Sequence, residues 1–152
     1  MNLLETITNL FDFTFNNPLN QLLRIDLGEI DTNLADLIAN RIGISTHGFM
    51  FSMDNYAILH TITEHGNEKL EAKRGQVAVT KNAFSQLLQI ISSPDVVKSG
   101  GKNMFGNDVI LFEKQLDNLY FVIWELRIVQ KKRKRNRLVL KTLYIRSTKK
   151  VS

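Results

Sequence analysis

Leu119-Tyr120-Phe121-Val122-Ile123-Trp124-Glu125-Leu126-Arg127-Ile128-Val129 is a long run of β-branched and aromatic residues, preceded by the turn signal Asp117-Asn118. It reads as a strand. Val109–Gln115 before it reads as a second strand. Beyond the basic run Lys131-Lys132-Arg133-Lys134-Arg135, which reads as a turn, Arg137–Arg146 reads as a third. The upstream chain has a different period. Leu3, Leu4, Ile7, Leu10 and Phe11 recur at helical spacing until Asn16-Asn17-Pro18 breaks the pattern. Leu22, Leu23, Ile25 and Leu27 form a short strand-like run. Asp31 or Thr32 caps a helix that buries Leu34, Leu37 and Ile38 and closes at Gly43. Phe49-Met50-Phe51 is a short extended piece. Asp54 caps a helix through His65, with Gly66 at the left-handed C-terminal position. After a short apolar segment, Val77–Val79, Thr80 caps an amphipathic helix carrying Phe84, Leu87, Leu88 and Ile91, which Ser93-Pro94 ends. Ser99-Gly100-Gly101-Lys102 and Gly106-Asn107-Asp108 are loop signals. Helices first and a strand meander last indicate an α+β domain with helices on one sheet face.

Composition narrows the function classes. A chain of 152 residues with 43% hydrophobic and 23% charged residues fits one domain with its own core. It contains no cysteine, which excludes a disulfide framework, a thiolate metal site and a cysteine nucleophile together. No apolar run approaches the ~18 residues of a membrane span, so no membrane association is expected. The first residues lack a basic n-region and carry Glu5, which argues against a signal peptide. The expected compartment is the cytoplasm, of the producing cell or of a target cell.

Charge is unevenly distributed. Residues 1–125 hold nine bases and fifteen acids, a balance of −6, whereas residues 126–152 hold eleven bases and no acid, a balance of +11. An acid-free basic segment on an otherwise acidic chain points to a polyanion, most often a nucleic acid. A solvated basic loop is the plainer alternative.

Three constellations can carry chemistry. His60 and His65 flank the end of one helix. Two histidines suffice for general base and general acid in a displacement at phosphorus, because imidazole takes and gives a proton near neutrality. Five residues on a helix place them about 140° apart, so they share a face only if the helix ends before His65. The string His60-Thr61-Ile62-Thr63-Glu64-His65 lacks both the i,i+4 spacing and the glutamate position of a zinc helix. The competing reading has His65 capping helix carbonyls and His60 half-buried. A second set lies on the strands. Glu125 and Arg127 share a face at i and i+2, and Thr142 and Tyr144 share one with Lys141 opposite. A turn centred on Arg133 pairs Glu125 with Lys141 and Trp124 with Thr142. A third set can meet phosphate. Ser99-Gly100-Gly101-Lys102 lacks Walker A spacing, while Lys131–Arg135 can track a nucleic-acid backbone, with Trp124 and Tyr144 as stacking rings if exposed.

Several segments in order resemble a known family. They are Arg24-Ile25-Asp26-Leu27-Gly28-Glu29-Ile30, Asp54-Asn55-Tyr56-Ala57-Ile58-Leu59-His60, Glu64-His65-Gly66, Gly75-Gln76-Val77-Ala78-Val79-Thr80, Ser93-Pro94-Asp95-Val96-Val97 and Leu140-Lys141-Thr142-Leu143-Tyr144. Together they are similar to the phage-associated branch of the barnase–EndoU–colicin–RelE nuclease superfamily, over about residues 22–148. The resemblance implies an α+β fold with N-terminal helices and an antiparallel C-terminal sheet of about four strands. It divides the chain into a helical extension (1–21) and a nuclease-like domain (22–152), although no linker composition marks a boundary. It implies RNA cleavage without a metal or other cofactor, with His60, His65, Thr142 and Tyr144 catalytic. The basic residue of the site stays open among Arg74, Lys102, Arg127 and Lys141, with Lys131, Lys132, Arg133, Lys134 and Arg135 as further substrate contacts. Glu64 stands where relatives often carry a base. RNA is the expected partner, with an immunity or antitoxin protein as a second for a toxin or phage-linked effector. The alternatives are a nucleic-acid-binding module without activity and a phage or mobile-element interaction domain that docks through Leu3–Phe11.

Overall fold

The computed structural model describes residues 2–16, 21–129 and 135–148. The fold is α+β. Its elements are α1 (Leu3–Asn16), β1 (Arg24–Glu29), α2 (Thr32–Ile42), β2 (Met50–Asp54), α3 (Asn55–His65), α4 (Glu68–Lys73), β3 (Gln76–Val77), α5 (Lys81–Ser85), α6 (Leu87–Ser92), β4 (Val96–Lys102), β5 (Asp108–Gln115), β6 (Leu119–Arg127) and β7 (Arg137–Arg146). β4 to β7 form the antiparallel meander that the alternating apolar runs imply.

The sheet is larger than four strands, and it is mixed. Its order is β1-β2-β7-β6-β5-β4, with β3 also paired to β7. β2 joins β7 in parallel through Met50–Arg137, Phe51–Leu138 and Ser52–Val139, while β1 pairs antiparallel with β2. The N-terminal strands are short apolar pieces, so their composition marks them as extended without saying where they pair. The β6 run is nearly continuous in apolar residues because it lies inside the sheet and is covered on both faces.

The core locks these additions in place. Phe51 of β2, Phe112 of β5 and Trp124 of β6 are almost fully buried and meet as a ring cluster. Centroids lie 4.9 Å apart for Phe51–Trp124 and 5.9 Å for Phe51–Phe112, both edge-on, a geometry that suits the ring quadrupoles. Trp124 is thus a core residue rather than an exposed stacking ring. Ile7 and Leu10 of α1 are buried in the same core as Ile58 of α3 and Phe84 of α5.

Several local expectations are corrected. Glu125 pairs with Val139 and Trp124 with Leu140, not with Lys141 and Thr142, because the register set by the Arg127–Arg137 pair differs by two residues from one centred on Arg133; a further shift of one follows between Trp124 and Ile123. Lys141 is the extra residue of a β-bulge. Ser99-Gly100-Gly101-Lys102 is the end of β4 rather than a loop. Its glycines belong to an irregularity between Ser99 and Lys102, where Gly101 has φ 75°. The helix after Thr80 is split at Gln86 into α5 and α6, and Thr80 makes no side-chain cap. Asp31 and Asp54 do cap their helices, accepting from Asn33 N and Ala57 N.

Gly66 ends α3 for a different reason from the one its position suggests. Its φ is −91°, a conformation open to any residue. Its N–H donates to the Ile62 carbonyl at 2.8 Å, and a Cβ here would come within 2.5 Å of that oxygen. Gly66→Ala is therefore expected to lower the stability by about 1–3 kcal/mol, the usual cost of overpacking. An unchanged urea midpoint for the variant would remove this explanation.

Candidate active site

Asp54 is the last residue of β2 and the N-cap of α3; its carboxylate accepts from Ala57 N at 2.8 Å. Beyond the Ser52–Val139 pair the chain turns into the helix, so β2 no longer borders β7. β3 borders β7 again only at Ile145 and Arg146. α3 packs along the stretch between. A cleft of about 360 Å³ opens at the divergence, lined by Asp54, Tyr56, Ala57 and His60 on one side, Leu140, Lys141 and Thr142 on the other, and Arg127 from β6.

The bulge decides what β7 presents there. Leu138 and Leu140 before it, and Leu143 and Ile145 after it, are all buried in the core. Strict alternation would put residues 140 and 143 on opposite faces. One extra residue restores both to the core and leaves Lys141 and Thr142 side by side on the cleft wall. Thr61 Oγ1 donates to Thr142 Oγ1 at 3.2 Å and joins the helix to the strand there.

A buried carboxylate organises the cations. Glu125 is 2% exposed. Arg127 Nε donates to its Oε1 at 2.7 Å, and Asn103 Nδ2 donates to its Oε2. Burial pushes the Glu125 carboxyl up. The Arg127 hydrogen bond, the Lys141 charge and the Asn103 hydrogen bond together outweigh burial and hold it below the usual glutamate range. Glu125 therefore stays ionised and places Arg127.

His65 lies in a neighbouring cluster one and a half turns along α3. Its Nδ1 is 3.2 Å from Glu71 Oε2, and Arg74 Nη1 donates to Glu71 Oε1 at 3.0 Å and to the Glu64 carbonyl at 3.1 Å. Glu71 is fully buried. A carboxylate there only accepts, so a hydrogen bond across this contact is donated by the Nδ1–H tautomer of His65, which leaves the lone pair on Nε2. The imidazole lies 5.5 Å from the Tyr144 ring, which stacks on Phe121 at 4.8 Å and 10°.

The model of one nuclease family, described as phage-Barnase-EndoU-ColicinE5/D-RelE like nuclease3, matches residues 29–152. The chain belongs to that family. Neither a curated protein nor a solved structure matches it. The match covers the cleft from Asp54 to Thr142 and starts after α1 and most of β1.

Within this family member the sequence-derived candidates fall into three groups. His60, Thr142, Lys141 and Arg127 share the cleft. His65, Tyr144 and Arg74 form the adjacent cluster. Lys102 and Arg135 line no part of the cleft: Lys102 pairs with Asp108 on the far edge of the sheet, and Arg135 pairs with Glu29 and donates to the Gly48 carbonyl. Lys131, Lys132, Arg133 and Lys134 lie outside the described residues. Lys141 is not opposite Thr142, as alternation implies, but beside it. His65 does not cap carbonyls; it faces the Glu71 carboxylate. Glu71, Asn103 and Tyr56 were not singled out from the sequence. Only Tyr56 left a signal there, one helical turn before His60. Among the described residues, no three or more His, Asp or Glu gather as a metal-ligand group, and no helix is long and apolar enough to cross a membrane.

The depressed Glu125 carboxyl has a consequence for stability. A carboxylate with a lowered folded-state pKa stabilises the fold above its unfolded value, near 4.3, and loses that contribution as pH falls through the folded value. At neutral pH, Glu125→Gln is expected to be less stable than the parent, and the gap narrows as the pH falls through the unfolded value, near 4.3, and below it. Urea midpoints with parallel pH dependence in the two proteins would contradict this role for Glu125.

Proposed function

We propose that the chain is a metal-independent endoribonuclease that uses the ribose 2′-OH as its nucleophile. The observation that carries this reading is the placement of His60, Thr142, Lys141 and Arg127 around one open cleft. A scissile phosphate seated there meets two cations, and negative charge added on the non-bridging oxygens in the transition state is stabilised by fixed positive groups. Glu125 makes Arg127 a preorganised donor rather than a mobile one.

Proton transfer divides between the histidines. His65 contacts the Glu71 carboxylate through Nδ1, which leaves Nε2 to act as the base. It removes the 2′-OH proton. His60, in the cleft, protonates the leaving 5′-oxygen. The P–O bond to the 2′-oxygen forms as the bond to the 5′-oxygen breaks, and the products are a 2′,3′-cyclic phosphate and a free 5′-hydroxyl. Thr142 and Tyr144 hydroxyls orient the phosphate and the flanking sugar. On this reading the chain is a toxin or phage-linked effector that attacks cellular RNA, and an immunity or antitoxin protein would cover the cleft.

The test is cleavage of tRNA and total RNA in EDTA by the parent and by His60→Ala. Loss of a general acid is expected to slow cleavage by about 10²–10⁴-fold. Lys141→Ala is expected to be slow as well, and 2′-deoxy substitution at the cut site is expected to stop the reaction. Equal cleavage by parent and His60→Ala would sink the assignment. A second reading, RNA binding without cleavage, draws on the way His65 is engaged by Glu71. It gives no cyclic phosphate from either protein, with binding unchanged in His60→Ala.

A further inference from the structure

The three most exposed large apolar side chains among the described residues are Met104 at 91%, Phe105 at 76% and Ile128 at 68%. Met104 and Phe105 are neighbours in the β4–β5 turn, and Ile128 follows the end of β6, at the same end of the sheet. β5 pairs with β6 through Val109–Glu125, so the β4–β5 turn that carries Met104 and Phe105 projects beside the end of β6, where Ile128 follows Arg127. Single exposed apolar residues are ordinary; three at the end of the sheet from which Arg127 enters the cleft are not.

The turn is held in shape. Asn103 Oδ1 accepts from Phe105 N at 3.0 Å and Asn107 N at 3.1 Å, and the Asn103 backbone exchanges hydrogen bonds with Asn107 and Gly106. Gly106 takes the left-handed conformation, φ 78°, that closes it. The remaining donor of Asn103, Nδ2, reaches Glu125, which in turn holds Arg127 on the cleft wall. One carboxylate thus positions both a phosphate-facing cation and an aromatic tip. No core packing requires Phe105 to be where it is, since its ring is mostly in water.

The geometry points to a base-stacking subsite: Phe105, flanked by Met104 and Ile128, stacks on an unpaired base of single-stranded RNA next to the phosphate in the cleft. This deepens the nuclease reading and rests on it for the position of the phosphate. An exposed ring tied through Asn103 and Glu125 to a guanidinium in the cleft combines stacking with positive charge, the two forces that grip unpaired bases irrespective of sequence. Bases paired in a duplex have no free face to offer it. The enzyme therefore prefers loops and unpaired strands. A protein partner would also cover apolar side chains, but the link through Glu125 to Arg127 ties this tip to the phosphate side of the cleft.

The experiment uses the full chain and a single-stranded oligoribonucleotide that is 2′-O-methylated throughout, which no 2′-OH mechanism can cut, with 2-aminopurine as the reporter base. The parent is expected to bind it and quench the fluorophore. Phe105→Ala is expected to bind about ten-fold more weakly, as loss of one stacked base implies, and without quenching, while Phe105→Trp keeps both. With cleavable RNA, Phe105→Ala raises KM about ten-fold and leaves kcat within about two-fold. An unchanged thermal midpoint shows that the variant is folded. Equal affinity and quenching in parent and Phe105→Ala would overturn the subsite and favour a protein-binding tip. If the parent binds no oligoribonucleotide, the subsite falls as well. If the parent binds and quenches but never cleaves natural RNA, the subsite stands and the catalytic reading falls.

Discussion

The arrangement depends on three residue pairs. Met50, Phe51 and Ser52 align in parallel with Arg137, Leu138 and Val139, and this short junction brings the N-terminal half of the chain to the last strand. A parallel pair cannot be closed by a tight turn; here the whole intervening chain is the connection. Phe51 makes the junction durable by entering the ring cluster with Phe112 and Trp124, so that strand pairing and core packing secure the same point. From there α3 continues alongside β7, and the histidine-bearing helix meets the threonine- and tyrosine-bearing strand in matched order: His60 near Thr142, His65 near Tyr144.

The cleft follows from the way that junction ends. A strand continuing past Ser52 would fill the edge of β7. A helix starting at Asp54 leaves a gap instead, and a bulge at Lys141 turns two consecutive side chains into it. Both devices interrupt regular pairing where the cleft opens, as bulges near functional sites commonly do. The electrostatics are equally local. Glu125 is a buried acid among cations, and its low pKa results from those cations overcoming its burial. Its two oxygens hold Arg127 on one side and the Asn103 turn on the other, so cleft and exposed tip share one support.

Much of this was legible beforehand. The meander from Val109 to Arg146, the caps at Asp31 and Asp54 and the ends near Gly43 and Pro94 follow from local rules of period, capping and φ. The pairing of His60 with Thr142 in one cleft was accessible only through resemblance, since nothing local relates residues 82 positions apart. The bulge leaves little local trace, because Leu140-Lys141-Thr142-Leu143 carries no glycine or other residue that marks an interruption. That extra residue is why alternation puts Lys141 on the far face, while the mispairing of Glu125 comes from the turn register near Arg127–Arg137.

By itself, then, the sequence determined most element types (α4 and the end of β4 aside), the α+β class and which residues are chemically capable, because these depend on neighbours within a few positions. It also showed where positive charge accumulates. Tertiary structure alone decided that β2 lies parallel to β7, that Trp124 is core while Phe105 is bare, that Arg127 and Lys141 face the cleft, and that Lys102 and Arg135 do not. Those outcomes turn on register and on long-range pairing, where one residue of slip exchanges the faces of a strand.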